Sequence, residues 1–376
     1  TSEDRQREFW GQELDRRYGW RIFVMEPGRG DGSIVEVDMN PFNEEIITLG
    51  HGGGGRLMHD LIVDELLAAS DVMTERDLED AALIADGRLA ISTDGYTVQP
   101  LFFPGGDIGK LAVCGTINDL AMRGARARWL AVGMIVQEGF RLEDLRAIVR
   151  SIHETSAADG VHVVTGDTKV VGRTAADGIF ITTTGVGERF AEPAPSAAAA
   201  RPGDRVLVSG TLGDHGICIL AAREELSLAQ SVESDCASLL SLAQAMIAAG
   251  TGGVRALRDL TRGGMAAAIN EIALASGVAM AIEEDAIPVR PEVRGACELL
   301  GLSPLEIANE GKLVAIVAPE VADDVLAAAR AHPLGRNAAL VGEVTDGKPG
   351  RVAARTALGT LRLIDLPAGE LLPRIC

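Results

Sequence analysis

Apolar and polar positions divide the chain into a charged opening segment and two longer stretches in which strand-like and helix-like patterns alternate. Residues 1–44 are charged, carry Trp10 and Trp20, and show no sustained period of either kind. From Ile46 the text changes. A short apolar run leads to His51 and the glycines Gly52–Gly55, after which Leu57, Leu61, Leu66 and Leu67 form the apolar side of a helix. The next stretch predicts strands over Arg88–Thr93, Trp129–Val136, Val161–Thr165 and Ile179–Val186, and helices over Leu111–Arg123 and Leu142–Ala158. The Pro/Ala segment from Glu192 to Pro202 reads as a linker. Beyond it the pattern predicts strands at Arg205–Ser209, Ala279–Ile282, Leu313–Val317 and Ala339–Val344. Helices are predicted at Gly216–Glu225, Asp235–Ala249, Gly264–Ser276 and Val321–Ala331. The division is therefore an extension (1–44), two α+β domains (45–192 and 203–348) and a C-terminal segment and tail (349–376). A weak echo between Asp167-Thr168 and Asp259-Leu260-Thr261 is compatible with the two domains being divergent copies.

Composition narrows what fills and surrounds these elements. Aromatic residues are only 3% of the 376, so Val, Ile, Leu and Ala must fill the cores. The 44 glycines cluster beside Asp, Asn, Thr and Lys, as in loops that approach a phosphate. A net charge of −19 without any basic run argues against nucleic acid. No apolar run reaches the length of a membrane span, and no signal-peptide core opens the sequence. The five cysteines are widely spaced and odd in number, so a disulfide framework is not expected and a cytoplasmic location is.

The candidate chemistry lies where apolar runs end. Phe103-Pro104-Gly105-Gly106-Asp107-Ile108-Gly109-Lys110 opens a helix on which Asp107, Lys110, Cys114 and Asn118 share one stripe. Free N–H groups and a lysine suit phosphate, while Asp107 and Asp119 suit Mg²⁺; a solvated polar stripe is the plain alternative. Asp94 ends a strand, and Asp167 follows one in Thr165-Gly166-Asp167-Thr168-Lys169. Arg258-Asp259-Leu260-Thr261-Arg262-Gly263-Gly264 opens a later helix with a guanidinium at hand. His215, in a Gly-rich loop, and Glu310, ahead of a strand, are candidate proton acceptors. Neither a Walker A loop nor a GxGxxG fingerprint is present. The chain ends on Cys376, a thiol that can leave the body, accept an acyl group and return, unless it is an incidental terminus.

From about Ile46 to the last residue, these motifs resemble the HypE family of nickel–iron hydrogenase maturation factors. The resemblance rests on the glycines after His51, Phe103–Lys110 with Asn118-Asp119-Leu120-Ala121-Met122, and Thr165–Lys169. It extends to Gly210–Gly216, Asp259–Gly264, Asn309-Glu310-Gly311-Lys312 and the closing Pro373-Arg374-Ile375-Cys376. It implies an α+β, two-domain fold like that of aminoimidazole ribonucleotide synthetase. In that fold an N-terminal sheet domain dimerises and closes a barrel, a C-terminal α+β domain follows, and a flexible tail extends beyond.

The implied activity is ATP- and Mg²⁺-dependent dehydration of an S-carbamoyl group on Cys376 to a thiocyanate, the source of a cyanide ligand for iron. The implied partners are a HypF-type carbamoyltransferase, the HypC–HypD iron-carrying complex and a second copy of the chain. Cys376 would be the acceptor, with Glu310 and His215 handling protons and Lys169 a further catalytic residue that contacts phosphate or nucleotide. Gly53, Gly54, Asp107, Lys110 and Asn118 would surround the nucleotide, together with Thr165, Gly166, Asp167, Thr168 and Arg262. Asp94, Asp107, Asp119, Asp167 and Asp259 would serve Mg²⁺. Two other readings stay open: a small-molecule kinase or ligase of the same superfamily, and a carrier that presents a modified Cys376.

Overall fold

The strand-length runs pair into separate sheets in the computed structural model, which describes residues 21–25, 34–38, 46–70, 74, 78–224, 232–356, 359–367, 369, 372 and 374–376. Residues 1–48 form a unit of their own. In it β1 (Arg21–Met25) pairs antiparallel with β2 (Ile34–Asp38), Arg21 opposite Asp38. The opening segment, expected to lack pattern, therefore carries a hairpin whose five-residue strands are too short to show a period; Trp10 and Trp20 lie outside the described residues.

The second unit, Leu49–Cys376, begins with α1 (Arg56–Leu61), β3 (Ala82–Ile84), β4 (Leu89–Tyr96), β5 (Phe102–Phe103) and β6 (Gly106–Asp107). There follow α2 (Ile108–Met122), β7 (Ala125–Gln137), α3 (Leu142–Ala158), β8 (His162–Val171) and β9 (Ile179–Arg189). Then come β10 (Arg205–Val208), α4 (Asp214–Glu224), α5 (Leu240–Gly250), β11 (Val254–Asp259), α6 (Gly264–Ser276) and β12 (Ala279–Glu283). The chain continues through α7 (Pro291–Leu300), β13 (Leu313–Val317), α8 (Ala322–Ala331), β14 (Ala339–Thr345), β15 (Arg351–Arg355) and β16 (Leu361–Leu363). One sheet has the order β3-β4-β9-β7-β8, with only β7 and β8 parallel; the other runs β11-β13-β10-β14-β12-β15-β16, with only β12 and β15 parallel. This is the α+β architecture that the pattern predicts. No helix of the described residues is long and apolar enough to cross a membrane.

Helix α2 joins the two sheets. Nearly every residue from Ile108 to Met122 is buried, the signature of a helix apolar on all sides. It packs on β4, β7 and β9, and also on β11 and α5, so Leu111, Ile117 and Leu120 belong to one buried cluster with Leu239, Leu257 and Leu313. Asp119 is thereby carried toward the end of β11.

Three departures from the predicted elements bear on the site. The strand expected to stop at Thr165 runs to Val171, because β7 continues alongside it with Gly133 opposite Asp167 and Ile135 opposite Lys169. The helix expected from Asp235 begins at Leu240, leaving residues 234–239 as a loop. β11, α7, β15 and β16 lie where no element is predicted; in β11, Arg255 and Arg258 interrupt the apolar run. The two Asp–Thr positions differ in setting: Asp167 lies within the edge strand β8, exposed in the single chain, and Asp259 ends the edge strand β11 and is buried.

Candidate active site

Four elements bring acidic side chains to one place. β4 supplies Asp94, α2 supplies Asp119, β11 ends on Asp259, and the segment before β3 supplies Asp80. One carboxylate oxygen each from Asp80, Asp119 and Asp259 lie within 4.8 Å of one another. Asp119 Oδ2 accepts from Ser92 Oγ at 2.5 Å, and Asp94 Oδ2 accepts from the Tyr96 hydroxyl at 3.2 Å. Asp80 Oδ2, Asp259 Oδ2 and Glu310 Oε1 are buried without a hydrogen-bond partner. Burial, then the neighbouring carboxylates, hold Asp119, Asp259 and Glu310 well above the usual carboxylate range. Burial also pushes Asp80 up to about 6, although Arg258, ion-paired to it and to Glu271 (2.6 Å), opposes the rise. Burial raises Asp94 as well, against the nearby charge of Arg262. Buried like charges with unused lone pairs are a ligand set for a hard divalent cation.

The structure thus assembles Asp94, Asp119, Asp259, Arg262 and Glu310 from distant sequence positions. Asp80 is missed by pattern reading; the only signal is an acidic pair, Glu79-Asp80, directly ahead of Ala81-Ala82-Leu83-Ile84. The glycine loop joins the group from the Arg262 side. Gly54 has φ +69°, a Cβ there would lie 2.6 Å from the Arg262 carbonyl oxygen, and Arg262 Nη1 donates to Gly52 O at 3.0 Å. Gly53 lies in the same loop.

The remaining predicted residues lie outside this group in the single chain. Asp107 caps α2, accepting from the N–H groups of Gly109 (2.7 Å) and Lys110 (3.1 Å). It stands twelve residues from Asp119, about 18 Å along a helix axis, so the two do not share one ion. Lys110 Nζ donates to Gly105 O at 2.8 Å. Asn118 donates to Ala237 O (3.1 Å) and Glu310 O (3.4 Å) and accepts from Leu239 N (2.7 Å). From Cys114 to Asn118 the stripe meets the 234–239 loop, where Cys114 meets Cys236, and Asn118 is committed to protein rather than to nucleotide. Thr165, Gly166, Asp167, Thr168 and Lys169 lie on exposed β8, apart from the acidic group in the single chain, with Lys169 Nζ 3.1 Å from Asp167 Oδ2. Gly166 answers strand packing: a Cβ there would stand 2.4 Å from the Val132 carbonyl oxygen.

The terminal residues have a berth beside β4. Thr97 donates to Cys376 O through its N–H (2.9 Å) and its hydroxyl (3.1 Å). Arg374 O accepts from Gln99 N (3.1 Å) and Arg223 Nη2 (2.9 Å), and Ile375 O lies 2.9 Å from His215 Nε2. The Ile375 side chain is buried against Gly216. His215, expected as a proton acceptor, has its other nitrogen 2.7 Å from Ser234 Oγ, so both ring nitrogens are engaged while the tail is docked. Thr97 follows Asp94 by three residues, about 10 Å of extended chain, so one segment carries both a carboxylate of the cluster and the anchor of Cys376.

With this geometry in place, comparisons with known proteins add a family. Residues 78–189 match the AIR synthase related protein N-terminal domain, and residues 201–355 its C-terminal domain. The chain is 51% identical over 337 residues to carbamoyl dehydratase HypE of Rhodobacter capsulatus, covering 89% of this chain and 99% of that protein. It is similar to HypE in a crystal structure of a HypE–HypF complex (TM-score 0.78, 45% identity, 82% of this chain and 99% of that one). It is likewise similar to HypE crystallised with ATP (TM-score 0.75, 47% identity, 88% of this chain and 100% of that one).

Proposed function

Since this chain belongs to the carbamoyl dehydratase HypE family, we propose that it converts an S-carbamoyl group on its own Cys376 to a thiocyanate, using ATP. The observation that carries the reading is the docking of Cys376 on Thr97, in the segment that also bears Asp94. A carbamoyl thioester does not lose water readily, because oxide is a very poor leaving group. Moving the γ-phosphoryl group of ATP to the carbamoyl oxygen makes that oxygen leave as phosphate, and loss of both protons from nitrogen gives S–C≡N.

The residues divide this work by position. Asp80, Asp119 and Asp259, with Asp94 beside them, suit Mg²⁺: the uncommitted oxygens of Asp80 and Asp259 fit its preference for carboxylate ligands, and bound there it would neutralise phosphate charge. Arg262 and the Gly52–Gly55 loop flank the cluster where a polyphosphate would extend. Glu310, buried and held above the usual carboxylate range, is the proton acceptor we assign for the carbamoyl nitrogen. Berthing the tail against the body holds Cys376 half-buried and in a fixed place, by hydrogen bonds to its main chain.

We further propose that two copies pair through β8, closing a barrel. Its exposed apolar residues Val164 and Val170 (58% and 73% accessible) support this, and pairing would offer Thr165–Lys169 of one copy to the nucleotide of the other. The division into 45–192, 203–348 and a tail from 349 is kept as part of the reading. A HypF-type carbamoyltransferase would load Cys376, the HypC–HypD complex would take the cyanide, and the free thiols accord with the cytoplasm.

Intact mass spectrometry tests the reaction. After incubation with the carbamoyl donor and Mg-ATP, the carbamoylated chain should lose the mass of one water with one ADP formed per chain, and Cys376→Ser should yield no such product. A small-molecule kinase would retain its ATP turnover in that variant, and a carrier would show no mass loss.

A further inference from the structure

We infer that His215 and Ser234 are positioning residues that fix the tail by its main chain, in place of a proton-transfer role for His215. The inference deepens the reading above, on which the reactivity of the tail rests. His215 is fully buried and stands edge-on to Phe103, with ring centroids 5.6 Å apart and planes at 85°. Its Nε2 faces Ile375 O at 2.9 Å; a carbonyl only accepts, so Nε2 carries a hydrogen. Burial disfavours the charged ring, so Nδ1 accepts from the Ser234 hydroxyl at 2.7 Å. Ser234 Oγ in turn accepts from Cys236 N at 3.1 Å, which leaves its own hydrogen for the imidazole. Three bonds therefore run in one direction: Cys236 N–H to Ser234, Ser234 O–H to His215, His215 N–H to Ile375.

The loop that sets this direction also holds the acid side. The Asp235 carboxylate accepts from Glu310 N at 3.1 Å and from Lys312 Nζ at 2.9 Å. The last-but-one residue of the tail and the backbone of Glu310 are thus fixed from adjacent residues of one loop. The other donors to the tail differ in kind. Thr97 and Gln99 give main-chain N–H groups that any residue but proline supplies, and the Thr97 hydroxyl and the Arg223 guanidinium are side-chain donors only partly buried, whereas His215 gives a fully buried side-chain donor with a set tautomer. When the tail leaves, that donor loses its acceptor in a buried site, so the imidazole biases the equilibrium toward docking.

Alkylation of Cys376 by iodoacetamide, followed by peptide mass mapping, reports docking, because Cys114, Cys218, Cys236 and Cys297 are all buried. It needs neither ATP nor a carbamoyl donor, so its outcome is separate from whether the tail is the substrate. His215→Phe keeps an aromatic ring without its donor and should speed Cys376 labelling about 10-fold. Ser234→Ala should speed it about threefold, while His215→Gln, which retains a donor near Nε2, should return it to within about twofold of the parent. Single-turnover dehydration should fall with docking in the first two variants and recover in His215→Gln with its pH profile unchanged. Unchanged labelling in His215→Phe and Ser234→Ala overturns the inference. So does a His215→Gln chain that keeps its tail protected but fails to dehydrate, since that marks proton transfer. If His215→Phe exposes the four buried cysteines, its fold is disturbed and Ser234→Ala decides by the same criterion.

Discussion

The acidic cluster and the tail berth both adjoin β4, one beside Asp94 and the other at Thr97 just past its end, and they are opposites in construction. In the cluster, Asp80, Asp119 and Asp259 crowd together, with oxygens of Asp80 and Asp259 buried and without hydrogen-bond partners. In the berth, the carbonyls of Arg374 and Ile375 and a carboxylate oxygen of Cys376 each meet a donor of the body. Buried polar groups are normally satisfied, and a set that is not satisfied needs a ligand to complete it. The berth is complete because its ligand is part of the same chain. The cluster is incomplete in the single chain, and on the reading proposed above its ligand, Mg²⁺, comes from outside.

Removing a carboxylate from the incomplete side should give the largest change. Asp259→Asn takes a charge out of the cluster and leaves the berth intact. Without metal it should raise Tm by roughly 2 °C or more, since a buried like charge is relieved. With metal it should weaken Mg²⁺ binding about 100-fold, read as loss of the Mg²⁺-induced rise in Tm. A drop in metal-free Tm, with the Mg²⁺ response retained, would mean that Asp259 belongs to the architecture and that the contrast is drawn in the wrong place.

The two sides also differ in how much of them the sequence discloses. Asp94, Asp119, Asp259 and Glu310 are legible because each lies close to an apolar run that the pattern marks. Asp80 is not, since the strand beside it has only three residues and shows no period. Asp107 is written in the same text as a ligand but serves as a helix cap. Both roles want a short carboxylate beside glycine and free N–H groups, and local text does not separate them. Thr165–Lys169 reads as a loop because Gly, Asp and Thr favour turns; register with β7, a tertiary effect, extends it as strand. The berth is opaque for another reason. Cys376 lies 279 residues from Thr97, and nothing in either segment names the other. The long amphipathic helix α3 is, by contrast, predicted from end to end.

Acidity sharpens the comparison further. Burial and neighbouring carboxylates raise Asp119 and Asp259, and burial brings Asp80 to about 6. A carboxyl whose folded pKa exceeds its unfolded value binds more protons folded than unfolded, so raising the pH through that interval lowers stability. In EDTA, Tm should therefore fall as pH climbs from about 4 through the folded value of Asp80 and onward to those of its neighbours. Mg²⁺ competes with those protons, so its affinity should strengthen with pH, by up to about tenfold per unit for each proton displaced. Thermal melts across pH with and without Mg²⁺ measure both slopes. A Mg²⁺ response that does not change with pH would remove the protonated cluster from the account. Cys376 labelling should respond far less over the same range once corrected for the intrinsic titration of the thiol.

The smallest effect belongs to a single bond in the complete site. Thr97 meets Cys376 O twice, through its N–H at 2.9 Å and its hydroxyl at 3.1 Å. Thr97→Val keeps the shape and the N–H and deletes only the hydroxyl. The carboxylate oxygen retains one donor and stays partly exposed, so no buried acceptor is orphaned and the loss is that of one partly solvated hydrogen bond, about 0.5–1.5 kcal/mol. Cys376 alkylation should then quicken by about two- to tenfold, and Mg²⁺ affinity should stay as it was. Because Asp94 lies three residues away on the same segment, an altered Mg²⁺ affinity in this variant would show that the two sites are coupled through β4 and do not act as independent neighbours.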